Sequence, residues 1–158
     1  MKHLLLVGLA AMTLGLTANM SVAKDLPAIG MNVDDLAKWL HDAGYKAEIQ
    51  TAKDGTKNIY TAADGSNFYV DLYDCKGKPA CASLQFSIGF DTKGAWNATK
   101  MNTWNSQNRW VRAWTDDKDD PWLAMDVDLT PGGTVENLDD EFTVWRDMLT
   151  SFKKYIDW

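Results

Sequence analysis

From residue 135 to residue 156 the apolar positions Val135, Leu138, Phe142, Trp145, Leu149, Phe152 and Ile156 recur at alternating steps of three and four. That spacing predicts a long amphipathic helix with one face against a core. A heptad stripe of this length also suits a coiled coil, but at the end of a β-rich chain it more often lies across a sheet. A different period governs the middle of the chain. Leu84, Phe86, Ile88 and Phe90 alternate with Ser83, Gln85, Ser87 and Gly89, which predicts a half-buried strand.

The remaining elements follow from similar patterns. Asn32 can cap a helix carrying Val33, Leu36, Leu40 and Ala43, and Gly44 stops it. Turn residues Lys53-Asp54-Gly55 and Asp64-Gly65 separate β-runs at 45–51, 58–62 and 67–73. A short helix is expected over 98–107 with Met101 and Trp104 inward. Runs at 109–115 and 122–129 flank Asp116-Asp117-Lys118-Asp119-Asp120-Pro121 as a second hairpin, and Pro131-Gly132-Gly133 ends it. The order is α-β-β-β-β-α-β-β-α. An α+β fold is expected, with an antiparallel sheet of five to six strands and helices mainly on one face.

The first residues break this amphipathic pattern. Met1-Lys2-His3 precedes an apolar run over 4–16 that is short for a bilayer span, and Ser21-Val22-Ala23 has the small-x-small form of a cleavage site. A signal peptide over 1–23 is expected, with a single mature domain over 24–158 and a periplasmic or secreted location. Cleavage after Ala18 is the alternative. No second apolar stretch or basic stop-transfer cluster follows, so no membrane span is expected in the mature form. Removing 23 of 158 residues leaves 135, which suits one core.

Export changes the reading of the two cysteines. Cys75 and Cys81 enclose Lys76-Gly77-Lys78-Pro79-Ala80, and in an oxidising compartment such a pair reads as a disulfide closing a strand-to-strand loop. Chain entropy gives it about 2.4 kcal/mol. The C-x5-C spacing is not that of a C-x-x-C redox motif. Charge narrows the partners: Lys2 leaves with the leader, so a formal −6 becomes −7. An acidic surface repels phosphate backbones, and nucleic acid is excluded as a partner.

Several short segments, in order along the mature chain, carry a resemblance. They are Gly44-Tyr45, Phe68-Tyr69-Val70, Leu84-Gln85-Phe86, Asn102-Thr103-Trp104-Asn105, Arg109-Trp110-Val111-Arg112-Ala113, Asp126-Val127-Asp128-Leu129 and Gly132-Gly133-Thr134. The series resembles the YbjN family of bacterial domains, labelled sensory transduction regulators. The resemblance implies an α+β fold similar to that of type III secretion chaperones, and no known reaction. Chaperones of that class bind protein segments and often dimerise, so a protein or peptide partner and a homodimer are both implied. A leader and a cysteine loop set this chain apart from family members without an export signal, and a cytosolic role is not carried over.

Few residues suggest chemistry. The mature chain keeps one histidine, His41, on the polar side of the first helix. Nucleophile-base catalysis and a metal site both need more than that. The acidic turn at 116–120 lacks the central Gly and position-12 Glu of a calcium loop. Neither a metal nor a cofactor is expected. A small hydrolase acting on envelope glycans or peptides needs only two carboxylates, and Asp71, Asp74, Asp126 and Asp128 supply the type. Acids alternating with Val127 and Leu129 more often face water or pair with Arg109 or Arg112 across a hairpin.

The unusual feature is the 8 tryptophans. Trp39, Trp104 and Trp145 belong to apolar helix faces. If Val111, Ala113, Leu123, Met125, Val127 and Leu129 face the helices, then Trp110, Arg112, Trp114, Trp122 and Asp126 face the other way. Tyr69, Asp71 and Tyr73 join them when Phe68, Val70 and Leu72 turn inward. Such a face is expected to bind a partner or to form a dimer interface.

Overall fold

The computed structural model describes residues 22–158. Apart from Val22 and Ala23, the expected leader lies outside the described residues. Helix α1 (Val33–Asp42) is followed by strands β1 (Ala47–Thr51), β2 (Lys57–Ala63), β3 (Ser66–Tyr73) and β4 (Ser83–Gly89). Helix α2 (Ala98–Gln107), strands β5 (Arg112–Thr115) and β6 (Pro121–Asp128), and helix α3 (Val135–Tyr155) complete the chain. The class is α+β, in the expected order. None of the described helices is long and apolar enough to cross a membrane.

All six strands form one antiparallel sheet in the order β1-β2-β3-β4-β6-β5. β1 to β4 are a meander, and the chain then skips a place. It crosses by α2 and returns along the far edge as β5 before β6 fills the gap beside β4.

Each helix starts where a short polar side chain accepts an otherwise orphaned N–H. Asn32 accepts from the Asp35 amide at 2.8 Å, Asn97 from Lys100 at 3.0 Å and Thr134 from Asn137 at 3.1 Å. The helices cover one face. Phe68 and Phe86 on that face meet Phe142 and Trp145 of α3, with Phe86 and Trp145 stacked at 5.7 Å. Trp145, Phe86, Leu149 and Phe152 are essentially inaccessible to solvent. Truncating one such aromatic costs about 3–5 kcal/mol.

Two strands begin later than their patterns suggest. Tyr45 donates its N–H to the Leu40 carbonyl at 2.8 Å, so it belongs to the exit turn of α1, where Gly44 takes φ +86°. The run expected from 109 becomes a strand only at Arg112. Trp110 lies in the left-handed region at φ +74°, which takes residues 109–111 out of the ladder.

Cys75 and Cys81 are joined as a disulfide between β3 and β4. Cys81 exchanges two main-chain hydrogen bonds with Met31, at 2.8 and 3.1 Å, so the loop is tied to the segment leading into α1.

The sheet's β5 edge is closed by a side chain. The Asn105 amide of α2 donates to the Ala113 carbonyl at 2.9 Å and accepts its N–H at 2.8 Å. Those are the two bonds a neighbouring strand would make, so a further strand is blocked there.

Candidate functional site

The face of the sheet away from the helices is left open, and strand alternation decides what it carries. On β3, Phe68 and Val70 are buried while Tyr69 and Tyr73 are 36% and 48% exposed. On β5 and β6, Ala113, Leu123, Met125 and Val127 are buried, which sends Arg112, Trp114, Trp122 and Asp126 to the open side. Most of the expected face is therefore assembled.

Its aromatic members form two pairs. Tyr60 of β2 sits against Tyr69 with ring centres 5.1 Å apart. Trp114 and Trp122, directly opposite across the β5–β6 ladder, stack at 6.0 Å with a 20° interplanar angle. Gly89 of β4 lies under Trp122: a Cβ there would meet the indole at 2.6 Å. A groove of about 330 Å³ runs between Tyr60 and Tyr69 on one side and Trp122 on the other, with Gly89 and Asn67 in its lining.

The polar members are tied together beside these rings. The Arg112 guanidinium lies over Trp114 at 4.8 Å and within 3.8 Å of the Asp126 carboxylate. Gln85 donates to the same carboxylate. Asp71 accepts from the Asn58 amide at 3.2 Å and the Ser87 hydroxyl at 3.5 Å. Burial first, and then the charges of Asp71 and Asp126, push the Tyr73 phenol above its ordinary range, against a smaller opposing effect of Arg112. Tyr73 is thus a neutral hydrogen-bonding group at physiological pH.

Trp110 does not join this row. Its indole, 57% exposed, stacks on Arg109 at 4.7 Å and lines a separate groove with Asp128, Gly132 and Leu138. Leaving the ladder at Trp110 is what breaks the strand parity that assigned it to the open face. Tyr60 and Gly89, conversely, belong to the site without having been singled out. Tyr60 could have been found from the buried Ile59 and Thr61 on either side of it. Gly89 needs knowledge of which ring lies above it.

The acidic turn serves the fold. Asp116 accepts the N–H groups of Asp120 and Lys118, which hold its carboxyl below the usual range. Asp120 accepts from both the amide and the hydroxyl of Thr92. Among the described residues, no group of three or more His, Cys, Asp or Glu is arranged to hold a metal. His41 lies exposed on α1.

The profile of the YbjN family, described as "Putative bacterial sensory transduction regulator", matches residues 32–158, well over half of the chain. The chain belongs to the YbjN family. This YbjN domain begins at the cap of α1 and takes in every helix and strand of the described residues. No curated protein sequence matches it. Among solved structures it is similar to the Yersinia pestis type III secretion chaperone SycH, crystallised in complex with a stable fragment of YscM2. The identity is 12%, the TM-score is 0.48, and the match covers 75% of this chain and 97% of that one.

Proposed function

We propose that this YbjN domain is a non-catalytic binding module of the bacterial periplasm that takes a protein or peptide partner on the open face of its sheet. The observation that carries this reading is the presence on one open face of two aromatic pairs, Tyr60–Tyr69 and Trp114–Trp122, with Tyr60, Tyr69 and Trp122 lining a groove, and of the Arg112–Asp126 pair further along the same face. Aromatic rings offer contact area at little entropic cost, and Arg adds directed bonds; this is the composition of an interface centre. The candidate carboxylates point the same way, because Asp71 and Asp126 are engaged by Asn58, Ser87, Gln85 and Arg112. Export rests on the leader pattern of residues 1–23 and is in keeping with the Cys75–Cys81 bridge.

The test compares proteins co-purifying from periplasmic extract with the wild type and with Trp114→Ala plus Trp122→Ala. Loss of the captured set at an unchanged fold, seen by circular dichroism, is expected. An unchanged set counts against the face. A wild-type mass by light scattering of two chains, falling to one in the variant, would assign the face to a homodimer instead.

A further inference from the structure

β6 is longer than the strand that covers it. Its pairing with β5 ends at Arg112 opposite Ala124, whereas its pairing with β4 continues to Asp128 opposite Ser83. The last turn of the ladder therefore has a neighbour on one side only. In an antiparallel strand the N–H and C=O of a residue point to the same side, and successive residues alternate. Ala113 directs its pair outward to Asn105, so Arg112 faces β6 and its partner Ala124 faces β5. By the same alternation Asp126 and Asp128 turn their main-chain groups to the vacated side. None of those groups has a hydrogen-bond partner among the described residues. Beside them runs a groove of about 380 Å³, bounded by Trp110, the Gly132-Gly133 bend, Leu26 and Leu138.

We propose that the Asp126–Asp128 edge of β6 is a strand-addition site for an extended partner segment in which basic and apolar residues alternate. An unpaired edge supplies affinity through main-chain bonds, and the faces of the added strand supply selectivity. Residues opposite Asp126 and Asp128 would share the open face with those carboxylates, and residues between them would turn toward Leu26 and Leu138. The charge of the groove is one-sided: Asp126, Asp128 and Glu141 line it, and no Lys or Arg does. A second copy of the chain is a poor occupant, since antiparallel pairing of two such edges sets Asp126 and Asp128 against each other. The other bare edge, β1, carries one carboxylate, Glu48, and Lys46 pairs with it at 3.1 Å, whereas on the β6 edge Arg112 meets Asp126 and leaves Asp128 and Glu141 without an ion pair among the described residues. The proposal deepens the binding-module reading by naming where and how the partner chain lies, and it has its own test.

The probe is an acetylated, amidated hexapeptide of alternating lysine and valine, added to the protein as it is processed in a bacterial host. Amide exchange followed by NMR should slow at Asp126 and Asp128. It should not slow with a peptide carrying glutamate for lysine, or with one methylated on the main-chain nitrogens of its lysines, which keeps the charge but lacks the N–H groups that face β6. Asp128→Lys, at an exposed position that keeps its main chain, should weaken the probe roughly tenfold. Slowing at β1, slowing at neither edge, or equal slowing by the glutamate peptide would overturn the proposal. So would concentration-dependent slowing without peptide, which would identify a second copy. The Trp114→Ala plus Trp122→Ala variant should still bind the probe. Partner capture that depends on those tryptophans, with no probe binding at the edge, would remove the edge and leave the binding-module reading standing.

Discussion

Glu136, in the first turn of α3, accepts the main-chain N–H of Lys24 with both carboxylate oxygens, at 3.0 and 3.1 Å. Lys24 is the residue that signal cleavage after Ala23 would leave first, and that cleavage would turn the amide into an ammonium beside the carboxylate. If the proposed export is correct, intact-mass analysis of the protein recovered from a bacterial host should give a chain starting at Lys24. Glu136→Gln should speed exchange of the Leu26 amide, which bonds Gly133 at 2.9 Å. Hydrogen bonds from its own N–H and that of Lys24 hold the Glu136 carboxyl below its usual range. Its contribution is therefore present above the ordinary carboxylate range and fades as pH falls through the depressed value.

Gly89→Ala tests the aromatic face without touching an aromatic residue. The added methyl meets the Trp122 indole at 2.6 Å, and the ring, part of a half-buried open face, has room to swing away. The expected result is loss of the Trp114–Trp122 exciton band in circular dichroism, with a stability loss of about 1 kcal/mol. Partner capture should fall with the band. A retained band would show that the stack does not depend on the bare strand beneath it.

Much of this architecture is legible in residue order, because the core face obeys simple periods. The stripe from Val135 to Ile156 and the alternation through Leu84, Phe86 and Ile88 each place their residues inward without help from the rest of the chain. Trp110 shows where the method stops. Period-two counting carries the strand back through it, and only backbone geometry shows a left-handed residue there. Asn105 is a further case: it lies in a polar helix sequence, and its role exists only because α2 sets it beside Ala113. The unpaired end of β6 is likewise a difference between two strand lengths, which neither strand states alone.

Arg146 of α3 grips Asp64 in the β2–β3 turn through two hydrogen bonds, of 2.7 and 2.9 Å. The Asp64 carboxyl is held below its usual range, chiefly by that side chain. The folded state favours the ionised form, so the contribution is complete above the ordinary carboxylate range and is lost as pH falls below about 4. Asp64→Asn should lower the melting midpoint at pH 7 by roughly 1–3 °C, as for a partly exposed pair, and should flatten the acid limb of stability. An unchanged acid limb would show that the pair contributes nothing in solution.

Cys75→Ser plus Cys81→Ser should lower stability by about 2 kcal/mol, several degrees in melting midpoint, with partner binding kept at low temperature. Free thiols in the alkylated protein, purified without reductant, would contradict the bridge. Gly30→Ala should be worse. Its φ of +90° suits glycine, and a Cβ there would meet the Cys81 carbonyl oxygen at 1.9 Å with only backbone to give way. A loss above about 3 kcal/mol is expected, read from urea midpoints.

The position of α3 in the chain has a consequence for how the molecule comes into being. Phe68 and Phe86 are made early, and the helix whose Phe142 and Trp145 cover them is made after every described strand. Until that helix emerges, a growing chain holds the strands of the meander with Phe68 and Phe86 covered only in part, by α1. A nascent polypeptide stalled before residue 135 should therefore bind hydrophobic dyes and recruit holdases, and release from both should coincide with synthesis of the closing helix rather than of any strand.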